Sequence, residues 1–294
     1  MPVKPPFGRL LTAMVTPFDA DGALDLDGAA ALASHLVDEV GHHGLVVSGT
    51  TGESPTTTNA EKKALLSAVV DAVGDRAAVV AGVGTFDTRH SIETAKEAAS
   101  AGADGILVVT PYYSKPPQTG LLQHFRAVAD STDLPVMLYD IPHRAGIAIA
   151  TETMIELADH ARIVAVKDAK GDIAASSHVM AQTGLAYYSG EDALTLPLLS
   201  VGAVGVVGTS THFCGLQTLQ MIEAYLAGDV GTAQRLHRQL MPIYTGIFAT
   251  QGTILVKAGL ALRGRGVGGV RLPLVDATEP QKEALAACLA AASV

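Results

Sequence analysis

The sequence predicts an α/β fold in which eight parallel strands close into a (β/α)8 TIM barrel, followed by a C-terminal helical appendix. Eight short apolar segments alternate with longer segments of helical spacing between residues 10 and 208. Alternation of this kind is typical of a parallel sheet, and eight such steps fit a closed barrel. No GxGxxG motif follows the first strand, which argues against a doubly wound open sheet.

The predicted strands are short runs of β-branched and aliphatic residues, as expected for strands that are buried on both faces. They lie at residues 10–18, 45–48, 78–83, 105–110, 135–139, 163–167, 186–189 and 203–208. Apolar residues at helical spacing predict the intervening helices, several of which end at a glycine. These helices lie at residues 27–40, 61–73, 88–101, 119–130, 152–159, 173–183 and 193–200.

The pattern changes after Cys214, where only helices are predicted, at residues 216–226, 230–240, 242–262 and 280–292. No Gly/Ser-rich linker separates this part from the strands. We therefore expect a barrel over residues 1–213 and a C-terminal helical region over residues 214–294. This region is expected to pack on the barrel rather than to form an independent domain.

Composition argues against several classes of function. The net charge is −9 and no basic stripe is visible, so no nucleic-acid partner is expected. Cys214 and Cys288 lie far apart and the ten histidines form no HExxH motif, so no metal is expected. No apolar run has membrane-spanning length and no signal peptide is recognised, so we expect a cytoplasmic protein without a membrane partner.

The residues that follow the predicted strands indicate an active face. In a parallel barrel the carboxyl ends of all strands meet on one face, where catalytic sites lie. In this chain the residues that follow the strands are rich in hydroxyl groups, and one lysine stands at a strand end. Its members are Thr16, Gly49–Ser54, Thr110–Pro117, Tyr139–Arg144, Lys167–Asp168, Gly190–Asp192 and Gly208–His212.

Lys167 ends the apolar run Ile163–Val166. Burial there would lower its pKa and free a nucleophilic amine of the kind that Schiff-base enzymes use. Taken alone, this stretch favours a plainer interpretation, in which the side chain snorkels past the strand end to solvent. Lys257 is the rival lysine, but it lies in Ile254–Leu260 at helical spacing, outside the barrel pattern.

Three further features of this face have both a functional and a plain interpretation. Tyr139 follows Val136–Leu138 directly and can pass protons through its phenol, or it is an interior barrel aromatic. Arg144 suits bidentate binding of a carboxylate, or it is a surface residue in a turn. The glycines of Gly49–Ser54 bring backbone N–H groups close to a carboxylate, or they form an ordinary turn.

Five stretches resemble the dihydrodipicolinate synthase / N-acetylneuraminate lyase family of Schiff-base pyruvate aldolases. They are Val46–Ser54, Val109–Tyr113, Leu138–Pro142, Val164–Ala169 and Ser189–Asp192, in family order and at family spacing. The resemblance covers essentially the whole chain, including the helical tail. It favours a reactive Lys167 over a snorkelling one.

The resemblance implies a set of catalytic roles. Lys167 would form a covalent Schiff base with pyruvate, so that no separate cofactor is needed. Tyr139 would donate and accept protons. Thr50, together with Tyr113 reaching in from a neighbouring subunit, would complete a hydroxyl relay. The family alone implies a homotetramer built as a dimer of dimers.

The resemblance also implies how substrates bind. Thr51 would hold the pyruvate carboxylate, and Gly190 and Val207 would line the pocket. Arg144 matches the arginine that the synthase branch uses for the carboxylate of the second substrate. This favours aspartate 4-semialdehyde as the partner of pyruvate, giving 4-hydroxy-tetrahydrodipicolinate for diaminopimelate and lysine biosynthesis.

Two departures leave alternatives open. Asp140 stands where many relatives carry Asn, and Gly208–His212 after the last strand differs from the family pattern. The alternatives are another pyruvate-dependent enzyme of the family, such as a sugar-acid aldolase or N-acetylneuraminate lyase, or a catalytically silent pyruvate-binding paralogue.

A further departure concerns regulation. Relatives that lysine inhibits carry polar residues at positions where this chain has Pro55, Asn59 and Lys62, and then Phe86 and His90. The charge of Lys62 repels a lysine ligand, and Phe86 offers its ammonium group no hydrogen bond. The sequence therefore predicts weak or absent feedback inhibition by lysine.

Overall fold

The computed structural model describes residues 3–294, and it confirms the closed barrel. Each strand pairs in parallel with the next, and the last pairs with the first, with Thr12 opposite Gly208. The strands are β1 Leu10–Ala13, β2 Gly44–Val47, β3 Ala78–Gly82, β4 Gly105–Val109, β5 Val136–Asp140, β6 Ile163–Asp168, β7 Ala186–Ser189 and β8 Gly205–Gly208.

Helices follow the strands and cover the outside of the barrel. They are α1 Leu26–Ser34, α2 Asn59–Val73, α3 Thr88–Ser100, α4 Gln118–Asp130, α5 Pro142–Ala145, α6 Thr151–Leu157, α7 Ile173–Gln182 and α8 Thr195–Leu199. The chain then continues as α9 Thr211–Leu226, α10 Val230–Gly246, α11 Gly252–Leu262 and α12 Glu279–Ala292. Among the described helices, none combines the length and apolar character that a bilayer crossing requires.

Side-chain alternation along the strands divides the core into two layers. In β6, Val166 packs in the layer between barrel and helices, whereas Ala165 lies in the cluster that fills the barrel interior. Lys167 therefore shares the inward face with Ala165. Asp168 points outward, where it accepts a hydrogen bond from the Ser176 hydroxyl of α7. This alternation places the lysine inside the barrel mouth.

Local sequence signals explain several of the helix starts. Thr58 and Glu61 form a reciprocal capping box at the start of α2, and the side chain of Asp25 accepts a hydrogen bond from the Gly28 N–H at the start of α1. The predicted helix over residues 27–40 is α-helical only to Ser34 and continues as a π-helical turn, His35–Glu39. β1 is shorter than predicted and ends at Ala13.

The predicted helix over residues 242–262 is wrong, and the error matters for the site. α10 runs through Pro242 to Gly246, and α11 begins only at Gly252. The side chain of Gln251 accepts a hydrogen bond from the Thr253 N–H at 2.6 Å and so starts a new helix. Between the two helices, residues 247–251 turn toward the barrel mouth, where part of the segment lines a cavity.

Candidate active site

A cavity of about 270 Å³ lies at the carboxyl ends of the strands. Of the eight site residues predicted from the sequence, six line it. They are Thr50, Thr51, Tyr139, Arg144, Lys167 and Gly190. Strands β2, β5, β6 and β7 deliver them, as the common orientation of parallel strands requires. The structure therefore brings most of the predicted set to one place.

Lys167 is buried in this cavity, with 5% of its surface exposed. Burial lowers the pKa of its ammonium group from 10.5 to about 8, while Asp192 and Glu191 oppose the shift and Arg144 reinforces it. Its Nζ lies 4.3 Å from the centroid of the Tyr139 ring. A lysine with this pKa presents a substantial fraction of neutral, nucleophilic amine near neutral pH.

Tyr139 lies directly opposite Lys167 in the pairing of β5 with β6. Burial raises the pKa of its phenol, against the smaller opposing effects of the Arg144 charge and the Thr50 hydroxyl. The phenol therefore remains protonated at neutral pH. It is an uncharged group that can give a proton to a neighbouring atom and take one back.

The loop Gly49–Ser54 forms one wall of the cavity. The residue before it, Ser48, and Glu53 within it adopt the left-handed backbone region, with φ of 58° and 55°. Such a conformation costs on the order of 1 kcal/mol for a residue with a side chain, so the surroundings must hold it. The Thr16 hydroxyl donates to the Gly52 carbonyl at 2.6 Å, and the Thr253 hydroxyl donates to the Thr51 carbonyl at 3.0 Å.

A second cavity of about 210 Å³ adjoins the first. Four residues line both cavities and therefore form the wall between them: Thr50, Tyr139, Ile141 and Arg144. Arg144 lies on the short helix α5 and is exposed, so its guanidinium is available to an entering anion. Tyr112 lines the second cavity and packs edge-on against Phe86, with ring centroids 5.4 Å apart.

Two predicted site residues lie away from the lysine cavity. Tyr113 is 93% exposed and lines neither cavity of its own chain. Its backbone is in the left-handed region, with φ of 73°. Val207 is fully buried in β8 and belongs to the barrel-interior cluster that contains Tyr139. Thr209, two residues further along the chain, lines the cavity instead.

Asp192 holds the turn after β8 in place. Its buried carboxylate accepts hydrogen bonds from the backbone N–H groups of Thr209 and Ser210 and, at 2.6 Å, from the Ser210 hydroxyl. Burial raises the pKa of this carboxyl, and these hydrogen bonds together with Lys167 oppose that rise. The hydroxyl of Thr209 thereby comes within 3.5 Å of the Thr51 hydroxyl.

The sequence analysis missed the part of the wall that comes from the helical tail. Phe248, Thr250, Gln251 and Thr253 all line the lysine cavity. The polar run Thr250–Gln251 inside an otherwise apolar helical pattern was the signal that could have revealed the break. Within residues 3–294 no group of three His, Cys, Asp or Glu side chains is arranged to hold a metal ion.

The fold and the site define the class of protein: a (β/α)8-barrel enzyme with a buried lysine of lowered pKa at the carboxyl ends of its strands. Residues 6–292 match the model of the dihydrodipicolinate synthetase family, and the chain belongs to that family. The resemblance recognised from the five sequence stretches is thus confirmed.

Individual relatives in this family are similar to the chain over nearly its full length. The chain is 69% identical to the 4-hydroxy-tetrahydrodipicolinate synthase of Acidothermus cellulolyticus, over 98% of this chain and 93% of the relative. It is 62% identical to that of Cutibacterium acnes, over 95% of each. Its fold matches the lysine-bound enzyme of Cyanidioschyzon merolae with a TM-score of 0.96 and 43% identity, over 99% of each chain.

Proposed function

We propose that this enzyme condenses pyruvate with L-aspartate 4-semialdehyde to give 4-hydroxy-tetrahydrodipicolinate, in diaminopimelate and lysine biosynthesis. The observation that carries the proposal is the buried amine of Lys167, with a pKa of about 8, beside Tyr139 in the cavity. The names of relatives at 69% and 62% identity support the choice of substrates. The intermediate is covalent, so the reaction needs no separate cofactor.

The chemistry begins at the neutral amine of Lys167. It attacks the carbonyl carbon of pyruvate, and loss of water leaves an iminium. The iminium draws electrons from the adjacent methyl group, which loses a proton and becomes a nucleophilic enamine carbon. That carbon attacks the aldehyde of the second substrate, forms the new carbon–carbon bond and leaves a hydroxyl group once the aldehyde oxygen takes a proton. The amino group from the second substrate then displaces the Lys167 nitrogen at the iminium carbon, which closes the ring and frees the enzyme.

Protons must move in both directions during these steps, and neutral hydroxyl groups serve this need without adding a fixed charge. We assign the exchange to Tyr139 and Thr50, which both line the lysine cavity. Tyr113 of a neighbouring subunit would complete the relay. Its near-total exposure and left-handed backbone support this assignment, since the side chain projects away from its own chain.

Two groups would hold the substrate carboxylates. Thr51, with the backbone N–H groups of its loop, would bind the carboxylate of pyruvate. Arg144 would bind the carboxylate of the semialdehyde in a bidentate manner. Its position at the mouth, in contact with both cavities, supports this role because the second substrate enters after the first is attached. Gly190 would keep the cavity wall free of side chain.

We further propose that the active assembly is a cytoplasmic homotetramer built as a dimer of dimers, since a shared Tyr113 requires at least a pair of subunits. The helical region from residue 214 onward would serve as part of the enzyme's wall rather than as an independent domain. Phe248 and Thr253, which reach the cavity from this region, support that role.

Borohydride trapping tests the central assignment. Enzyme mixed with pyruvate and reduced should gain the mass of one pyruvate-derived adduct per chain, and Lys167→Ala should gain none. Lys282→Ala, which removes a partly exposed lysine of α12, is the matched control and should still be trapped. Absence of an adduct in the wild type, or an adduct on Lys167→Ala, would contradict the proposal.

The choice of aldehyde is tested separately. The purified enzyme should turn over pyruvate with aspartate semialdehyde, and Arg144→Gln should raise the KM for the semialdehyde while pyruvate trapping persists. Faster turnover with N-acetylmannosamine than with the semialdehyde would overturn the substrate assignment and leave the Schiff-base chemistry standing.

A further inference from the structure

A buried ion pair joins the cavity loop to the helical tail. Lys257 Nζ of α11 lies 2.8 Å from Glu53 Oε1, and the two side chains are only 3% and 1% exposed. Lys257 also donates to the Gly269 carbonyl at 2.6 Å, and its Nζ lies 4.2 Å from the centroid of the Phe18 ring. Neither charge takes part in the chemistry proposed above.

Arg271 completes the cluster around Glu53. Its backbone N–H donates to Glu53 Oε2 at 2.9 Å. Its guanidinium donates to the carbonyls of Gly22 and Thr56 and to Glu61 Oε1, at 2.8, 2.9 and 2.6 Å. Both oxygens of the Glu53 carboxylate are therefore engaged by the segment that follows the barrel.

Apolar side chains could fill this space at a lower cost in free energy than a buried ion pair. Burial of an ion pair carries a desolvation penalty that often exceeds the Coulombic gain, so such a pair is weak support for stability alone. The pair does fix one arrangement of two chain segments. Glu53 needs that support, because its backbone is left-handed with φ of 55°, and it stands two residues after Thr51.

We propose that Glu53 and Lys257 are positioning residues for the reaction. Their ion pair holds the loop Gly49–Ser54 in the conformation that turns Thr50 and Thr51 into the lysine cavity. This inference rests on the proposed function for the roles of the two threonines, while the tether itself is a separate physical claim. The pair acts through the loop and touches no substrate.

The double variant Glu53→Gln/Lys257→Met tests the tether without leaving a buried charge unpaired. Glutamine keeps an acceptor for the Arg271 N–H, and methionine replaces the apolar stem of the lysine. Tyr244→Phe is the matched control. It removes a buried 2.9 Å hydrogen bond between α10 and Thr218 of α9, within the helical tail and away from the loop.

Two readouts separate positioning from general stability. In the double variant, amide hydrogen exchange in residues 49–56 should accelerate about tenfold or more, as expected for loss of a charged hydrogen bond. Exchange in the strands should stay unchanged. The KM for pyruvate should rise by a similar factor, about tenfold, with a smaller fall in kcat. Tyr244→Phe should show neither effect.

Each possible result of these measurements either supports or refutes the proposal. Loop exchange within about twofold of the wild type would refute the tether. Faster loop exchange with an unchanged KM would refute the positioning role. Failure of wild-type trapping by pyruvate would overturn the proposed function, whereas the exchange experiment would still report on the tether. A higher KM in both the double variant and Tyr244→Phe would assign the effect to the helical tail as a whole and overturn the inference.

Discussion

The pH dependence of Schiff-base formation follows directly from the burial of Lys167. With a pKa of about 8 rather than 10.5, about one tenth of the amine is neutral at pH 7, roughly 300-fold more than for an exposed lysine. The rate of adduct formation should therefore rise about tenfold per pH unit below pH 8 and level off above it. Tyr139 does not titrate in this range, because burial raises the pKa of its phenol.

Two charge variants should move this profile in opposite directions. Glu191 favours the ammonium form of Lys167, so Glu191→Gln should lower its pKa and shift the profile to lower pH. Arg144 disfavours that form, so Arg144→Gln should shift the profile to higher pH. Asp192 is unsuitable for this comparison, since its carboxylate also holds the backbone of Thr209 and Ser210.

The assay mixes enzyme with pyruvate at a series of pH values, quenches each sample with excess borohydride after a fixed short time, and measures the adduct by mass. Lys282→Ala serves as the control for nonspecific labelling. A wild-type midpoint near that of a free lysine would refute the burial argument. Shifts of the two charge variants in the same direction would refute the assignment of the neighbouring charges.

Three further predictions follow from the same structure. Below pH 8 the buried ammonium of Lys167 is destabilising, so Lys167→Met should raise the free energy of unfolding by about 3 kcal/mol at pH 7 in urea titrations. This gain should fade between pH 8 and 10.5, and a gain independent of pH would contradict it. Tyr113→Phe should lower kcat about 100-fold with little change in melting temperature, since it removes only a hydroxyl group and keeps the aromatic ring; an unchanged rate would remove Tyr113 from the relay. Lysine at concentrations that saturate sensitive relatives should inhibit weakly, because the Lys62 ammonium, which donates to the Thr57 carbonyl, repels a cationic ligand and Phe86 offers that ligand no hydrogen bond; strong inhibition in steady-state assays would contradict this.

The regular part of the fold was predictable because its signals are local. Short β-branched runs such as Ile163–Val166 mark buried strands, and the capping box at Thr58 and Glu61 marks a helix start. The parallel orientation of the strands then brings Tyr139 and Lys167 to one face without further information.

The parts that were missed depend on contacts between distant residues. The helix around Lys257 was predicted correctly from its helical spacing. Its ion-pair partner Glu53 lies some 200 positions earlier, and no feature of the nearby sequence indicates the pair. The break before α11 depends on the Gln251 cap, which propensity alone does not separate from a continuing helix. Thr209 reaches the cavity because Asp192 orients its turn, a tertiary effect.

Closure of the barrel also limits the order in which the chain can fold during its synthesis on the ribosome. The hydrogen bond from Thr12 to Gly208 spans 196 positions, so β1 lacks a partner on one edge until most of the chain has left the ribosome. The partners of Glu53 emerge later still, at Lys257 and Arg271. A nascent chain can therefore carry Lys167 in its strand well before the cavity around that amine exists. Reactivity is thus acquired in the final stage of folding.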